Sequence, residues 1–199
     1  MSNPKDLAFL LRKGDLMDNV KLSIIMPVYN ADKYLASALK SLKNNLTEDI
    51  EVIIINDAST DSSAEIIKDF IKKNPKKKIK YIENSENKGA GLTKNVGIDH
   101  AQGKFIGFLD SDDYIDKNYY AEMLSLAEKC KADMVVSDIV LDYGSYQKCE
   151  TIYSDNLYKK QDKGDCELNK KTLLGYWASA SACSKIIKRK SLGSLRFSK

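Results

Sequence analysis

Phe105-Ile106-Gly107-Phe108-Leu109-Asp110-Ser111-Asp112-Asp113 passes from wholly apolar to strongly acidic at a single bond. The first five residues read as a buried strand. Three carboxylates at its C-terminal end repel one another unless a cation, a proton or hydrogen-bond donors stabilise them. Aspartates after a strand also make turns and cap helices, so the cluster alone does not decide between a site and a turn.

The flanking chain decides the fold. Short β-rich runs are predicted at Leu22 to Met26, stopped by Pro27, then at Glu51 to Ile55, Lys78 to Glu83, Phe105 to Leu109 and Met134 to Val136. Between them, helical spacing is predicted over Ala31 to Leu46 (Leu35, Ala38, Leu39, Leu42) and Ser62 to Lys73 (Ile66, Ile67, Phe70, Ile71). Helices also read at Gly91 to Ala101 and Tyr119 to Lys129. Val52 to Ile55 is apolar without alternation, as befits a strand covered on both faces. Strands alternating with helices imply right-handed crossovers and a mainly parallel sheet between helical layers, a doubly wound α/β domain. Such sheets bind ligands outside the carboxyl ends of their strands. Pro27-Val28-Tyr29-Asn30, Asn56-Asp57-Ala58-Ser59 and Asp110-Ser111-Asp112-Asp113 all fall there.

The bulk composition sets outer limits. A chain of 199 residues can bury one substantial core. It is 43% hydrophobic and 30% charged, and no apolar run approaches the about 18 residues of a transmembrane helix. The net charge of +4 owes much to Lys72, Lys73, Lys76, Lys77, Lys78 and Lys80 around Pro75. This stretch reads as a solvated helix-to-strand connection, with contact to an anionic membrane surface as the alternative. Cys130, Cys149, Cys166 and Cys183 form no Cys-x-x-Cys pair and the single histidine, His100, lies in a predicted helix, so zinc spacing is absent. Reduced thiols and no signal peptide point to a cytoplasmic chain, with the inner face of the membrane as its peripheral option. Residues 1–20 stand apart as a helical extension, with Leu7, Phe9, Leu10 and Leu11 ending near Gly14. It packs on the domain or pairs with another chain, leaving a homo-oligomer open. Beyond Asp138 the pattern loosens around Tyr143, Tyr146, Tyr153 and Tyr158, where hairpins or an acceptor-facing loop are expected, and Ile186 to Lys190 reads as a strand or helix edge.

The chemistry follows from what is missing. There is no Walker phosphate loop, and Pro27 and Asn30 stand where a dinucleotide site needs glycines. A diphosphate without a glycine cradle calls for another counter-charge, and a divalent cation on strand-end carboxylates supplies it. Asp110 and Asp112 are the candidate ligands for magnesium or manganese. A nucleic-acid role has only the lysine stretch in its favour. A nucleotidyltransferase would want a Gly-rich, Arg-containing signature after the first strand, which Pro27-Val28-Tyr29-Asn30 is not.

Pro27-Val28-Tyr29-Asn30, Asn56-Asp57-Ala58-Ser59-Thr60-Asp61, Asn87-Lys88-Gly89 with Lys94-Asn95-Val96-Gly97, and Asp110-Ser111-Asp112-Asp113 come in this order at fitting intervals. Together they resemble the nucleotide-sugar half of a family 2 glycosyltransferase of the GT-A fold. The match is clear from about Lys21 to Asp138 and weaker through Lys185 to Phe197. The resemblance implies a GT-A domain over residues 21–199, with a donor half at about 21–138 and an incomplete acceptor half at about 139–199.

It also implies residue roles. Tyr29 would lie against uracil with Pro27 shaping the turn beneath, although a strand-end tyrosine also packs in cores. Asp57 would accept from the uracil N3–H, a carboxylate role that helix capping imitates. Lys94 would sit near the diphosphate, with a solvated helix lysine as the alternative. Asp110 would contact ribose or metal, Ser111 would line the same turn, Asp112 would ligate the metal, and Asp113 would orient the loop.

The reaction implied is transfer from a UDP-sugar to an acceptor hydroxyl with inversion, assisted by Mn2+ or Mg2+, in surface polysaccharide or glycoconjugate synthesis. The acceptor would be a glycan, a lipid-linked sugar or another hydroxyl. The general base of similar enzymes lies beyond the segment resembling Lys185 to Phe197, and the expectation is a chain cut short before it at Lys199. Asp165 and Glu167 precede that segment, and Trp177 and Lys185 are acceptor-side candidates, with a packed indole and a surface lysine as the alternatives. The alternative is a fragment that holds nucleotide-sugar, or docks on a partner, without turnover.

Overall fold

The computed structural model describes residues 20–150 and 182–198. The expected N-terminal helix, Tyr153, Tyr158, Asp165, Cys166, Glu167 and Trp177 lie outside these residues.

A six-stranded sheet of order β3-β2-β1-β4-β8-β5 organises the chain. Its parallel part is β1 (Leu22–Val28), β2 (Ile50–Asn56), β3 (Lys78–Glu83) and β4 (Phe105–Phe108). Every residue of β1 and β2 is buried, which explains their unalternating apolar sequences. β3 closes one edge and turns Lys78 and Lys80 outward, charges that discourage pairing with another strand.

β5 (Met134–Val136) does not lie beside β4, because β8 (Lys185–Lys188) inserts between them, antiparallel to both. Ile186 of β8 is fully buried there. The stretch read as a strand or helix edge is both, since α5 (Arg189–Leu192) follows β8 directly. The hairpin expected after Asp138 is β6 (Ile139–Asp142) paired with β7 (Gln147–Glu150). Tyr143 and Tyr146 stack across its turn with ring centroids 4.7 Å apart.

Three layers result. One face is covered by α1 (Asp32–Lys43), α2 (Ser63–Lys73) and α4 (Tyr119–Cys130), whose Leu35, Leu39, Leu42, Ile67, Tyr120 and Met123 pack on Ile24, Met26, Val52 and Ile54. The other face carries α3 (Ala90–His100), with Ile98 against Ile25, Ile53, Ile106 and Phe108. α3 lies so close to β1 that a Cβ on Gly97 would stand 2.3 Å from the Ile25 side chain.

Pro27 does not stop the first strand; it lies within β1, paired with Ile55. The Leu109 N–H donates to Ile25 O, so the polar groups of Ile25 face β4, and Pro27, two residues on, faces the same side. The β1–β4 ladder ends at Ile25 and Phe108, so the absent proline N–H costs no ladder bond.

The lysine-rich connection is the turn between α2 and β3, at the sheet end opposite Asp110. Lys77 Nζ donates to Leu46 O, and Lys78 Nζ to Glu48 O at 2.7 Å, so two of the lysines dock on the neighbouring loop. Among the described residues no helix is long and apolar enough to cross a membrane.

Candidate functional site

The carboxyl ends of β1 to β4 are stitched together by backbone bonds: Asp57 N–H to Val28 O at 2.8 Å, Leu109 N–H to Ile25 O at 3.0 Å, and the N–H of Asn84, just after β3, to Asn56 O at 2.9 Å. Side chains then lace the loops beyond them. Asn30, left-handed at φ 47°, accepts from Thr60 N–H at 2.8 Å and donates its own N–H to Ser59 Oγ at 3.1 Å. Asp61 accepts from the N–H groups of Asp32 and Ser63, each at 3.0 Å. Burial works to raise the Asp61 pKa, but the hydrogen bonds outweigh it and hold the carboxyl below the ordinary range. Ser59, Thr60 and Asp61 are thus scaffold, and what they hold in place is Tyr29, 48% exposed at the tip of β1.

Asp57 is only 2% exposed. Its Oδ1 accepts from Asn84 Nδ2 at 2.7 Å and Lys88 N–H at 3.1 Å, and its Oδ2 from Gly89 N–H at 2.9 Å. Burial again pushes upward, yet these donors, with Thr93, hold the Asp57 pKa below the usual carboxylate value. Asp57 therefore anchors the loop that starts α3, which gives Asn87-Lys88-Gly89 a structural purpose. With Asn84, Lys88, Gly89 and Thr93 all donating to it, and the Lys88 N–H shared between both oxygens, the carboxylate is well supplied with donors.

From the second turn of α3, Lys94 reaches Asp110, with Nζ 2.9 Å from Oδ1 and the lysine side chain only 12% exposed. It is not a solvated helix lysine. Asp113 folds back in a turn, its N–H donating to Asp110 O at 3.2 Å. Desolvation within the turn, then repulsion from Asp110 and Asp112, raises the pKa of the exposed Asp113 against the pull of Lys94. Ligand atoms of Asp110, Asp113 and Cys183 lie within 4.8 Å of one another. The Cys183 thiol, just before β8, is pushed up to about 12 by burial and by Asp110. Mg2+ and Mn2+ prefer hard oxygen ligands, so the carboxylates of Asp110 and Asp113 suit them and the thiol does not. Ser111 and the exposed Asp112 occupy the outer part of the turn, Asp112 outside that triad. Tyr114 Oη then donates to Asp142 Oδ2 at 2.6 Å, tying the acidic turn to the β6–β7 hairpin.

Of the residues expected at a site, Pro27, Tyr29, Asp57, Lys94, Asp110, Ser111 and Asp112 all come to the carboxyl ends of three adjacent strands. Lys94 and Asp110 touch. Lys185, 7% exposed at the start of β8, has its pKa lowered by burial and is a core residue rather than a surface lysine. The carboxylate pairing of Asp113 with Asp110 was not expected, although its adjacency to Asp112 was a signal. Cys183 arrives from the inserted β8, and nothing near it in the sequence announced its place.

Residues 23–195 match the family described as Glycosyl transferase family 2. The chain belongs to that family. It is 35% identical over 147 residues to a Bacillus subtilis protein named as glycosyltransferase EpsH, covering 74% of this chain and 41% of that one. With glycosyltransferase GlyA of Streptococcus pneumoniae it shares 33% identity over 145 residues, 70% of this chain and 20% of the relative. The chain spans less than half the length of these curated relatives. Among solved structures, S. aureus TarS 1-349 in complex with UDP superposes with a TM-score of 0.68 at 26% identity, over 87% of this chain and 48% of that one. The TarS complex with UDP-GlcNAc gives 0.67 at 25% identity, over 87% and 46%. The fold of this family 2 member is thus GT-A, a three-layer α/β/α arrangement on a mainly parallel sheet.

Proposed function

We propose that the crevice at the ends of β1, β2 and β4 binds a UDP-sugar, and that the protein transfers the sugar to an acceptor hydroxyl with inversion. The supporting observation is the Lys94–Asp110 contact in an acidic turn at the carboxyl end of the sheet. It sets a cation and a carboxylate cluster where a diphosphate needs both positive charge and metal. TarS, solved with UDP and with UDP-GlcNAc, supports uridine as the nucleotide.

In this reading Tyr29 stacks on uracil from its exposed position just beyond the end of β1, the strand that carries Pro27. Asp57 accepts from the uracil N3–H, with the nucleotide taking the place of one of its present donors. Lys94 faces the diphosphate, Asp110 and Ser111 line the ribose and metal side, and Asp110 and Asp112 hold Mn2+ or Mg2+ with Asp113 alongside. A cation bound there supplies Lewis-acid stabilisation of the negative charge on the departing diphosphate. Residues 21–138 form the donor half and 139–199 part of the acceptor half, in synthesis of a surface polysaccharide or glycoconjugate.

The test is calorimetric titration of the protein, with Mn2+ present, by UDP, GDP and ADP. UDP should bind at least about tenfold more tightly than either purine nucleotide, because a purine offers no match for Tyr29 and Asp57 together. Equal affinity for the three would overturn the uridine assignment.

A further inference from the structure

Gly91, Asn95 and Asp99 recur at intervals of one helical turn and form a single stripe on α3. The chain after α5 runs along that stripe in the opposite direction. Arg196 pairs with Asp99 at 2.7 Å. The Asn95 carboxamide donates to Phe197 O and accepts from Phe197 N–H, both at 2.9 Å, as a neighbouring strand would. Over Gly91 the chain comes closest, so that a Cβ there would stand 2.7 Å from Ser198 O. The Phe197 ring meets Phe108 edge-on at 5.5 Å, two residues before Asp110.

These contacts bear on α3 itself. Two glycines weaken a helix of this length, and each sits where a neighbour leaves no room for a side chain: Ile25 beneath Gly97, Ser198 above Gly91. α3 is therefore held between β1 and the returning chain. Its start supplies the Lys88 and Gly89 N–H groups to Asp57, and its second turn supplies Lys94 to Asp110.

We propose that Leu195 to Ser198 is a strap that fixes α3 against the sheet, with Gly91 and Asn95 as positioning residues. By seating the strap they hold Lys94 on Asp110 and set the affinity of the site for a nucleoside diphosphate. The affinity clause rests on the nucleotide reading above; the hold of the strap on α3 does not.

The test uses Gly91→Ala and Asn95→Ala in the full chain. Alanine favours the helix over glycine, so a role confined to helix formation predicts a firmer α3 in Gly91→Ala. The strap predicts the reverse: hydrogen exchange should quicken at the Phe197 N–H and at the Lys88 and Gly89 N–H groups. UDP affinity with Mn2+ should fall about three- to tenfold in either variant, the range expected for losing one hydrogen-bonded clasp. The double variant should be no worse than the single ones, because both act through one strap. In a Lys94→Met background Gly91→Ala should cost less affinity than it does in the parent, whereas general destabilisation would cost the same in both. Should Gly91→Ala fold poorly, Asn95→Asp replaces it, keeping the acceptor for Phe197 N–H but turning an oxygen on Phe197 O. Unchanged exchange at Phe197 and Gly89 in these variants overturns the strap, and a released strap with unchanged UDP affinity overturns its positioning role. If the parent protein binds no UDP, the nucleotide reading falls while the exchange at Lys88 and Gly89 still decides the strap.

Discussion

Replacing Asp57 by Asn tests how the site is supported. The carboxylate is 2% exposed and receives Asn84 Nδ2, Lys88 N–H and Gly89 N–H at 2.7 to 3.1 Å. Asparagine has the same shape but one accepting oxygen, so its amide must face at least one of those donors and leave it unpaired. A hydrogen bond to a charged group is worth about 1.5–3 kcal/mol, and a buried unsatisfied donor costs about 1–3 kcal/mol. We expect Asp57→Asn to destabilise the fold by about 2–4 kcal/mol at pH 7. That corresponds to a melting temperature lower by about 4–16 °C for a chain of this size.

The pH dependence carries a sign. The folded pKa of Asp57 is lowered, so its contribution is complete above the unfolded value of about 3.9 and drains away as the pH falls toward the folded one. The parent should therefore lose stability over that acid window more steeply than Asp57→Asn. Urea unfolding at pH 7 and at a series of pH values below 4 measures both. A variant within about 0.5 kcal/mol of the parent at pH 7, with the same acid slope, would refute the anchoring role.

Other expectations follow from single contacts. Gly97→Ala should destabilise by about 1–3 kcal/mol despite the better helix former, because its Cβ would stand 2.3 Å from Ile25; a rise in unfolding midpoint would contradict the packing of α3 on β1. Tyr29→Ala, at a 48% exposed position, should leave unfolding free energy within about 0.5 kcal/mol while weakening UDP binding severalfold. Equal loss of stability and affinity would make Tyr29 a packing residue.

The parallel half of the sheet could be read from the chain because its strands follow one another and the inner ones, β1, β2 and β4, are buried. The Lys78 to Glu83 edge strand and, outside that half, the Met134 to Val136 strand fall where hydrophobic pattern and turn residues put them. What could not be read depends on long-range placement. β8 inserts beside β4 from some eighty residues downstream, and no periodicity in Lys185 to Lys188 specifies a partner. Cys183 reaches Asp110 and Asp113 through that insertion. Pro27 misled for a different reason: a proline breaks a strand only if its N–H is needed, and the end of the β4 ladder decides that. At the site, motif order located the crevice, but it did not separate ligand-facing residues from scaffold. Ser59, Thr60 and Asp61 are spent on lacing loops, while Lys94 is drawn inward by a carboxylate sixteen residues away.

A cation-assisted nucleoside diphosphate site on the acidic turn is tested most directly by UDP titration with and without Mn2+, on the parent protein and on Asp112→Ala. Mn2+ should strengthen UDP binding to the parent by about tenfold or more and have little effect on Asp112→Ala, whose turn has lost one of the proposed metal ligands. UDP affinity indifferent both to Mn2+ and to the substitution would contradict it.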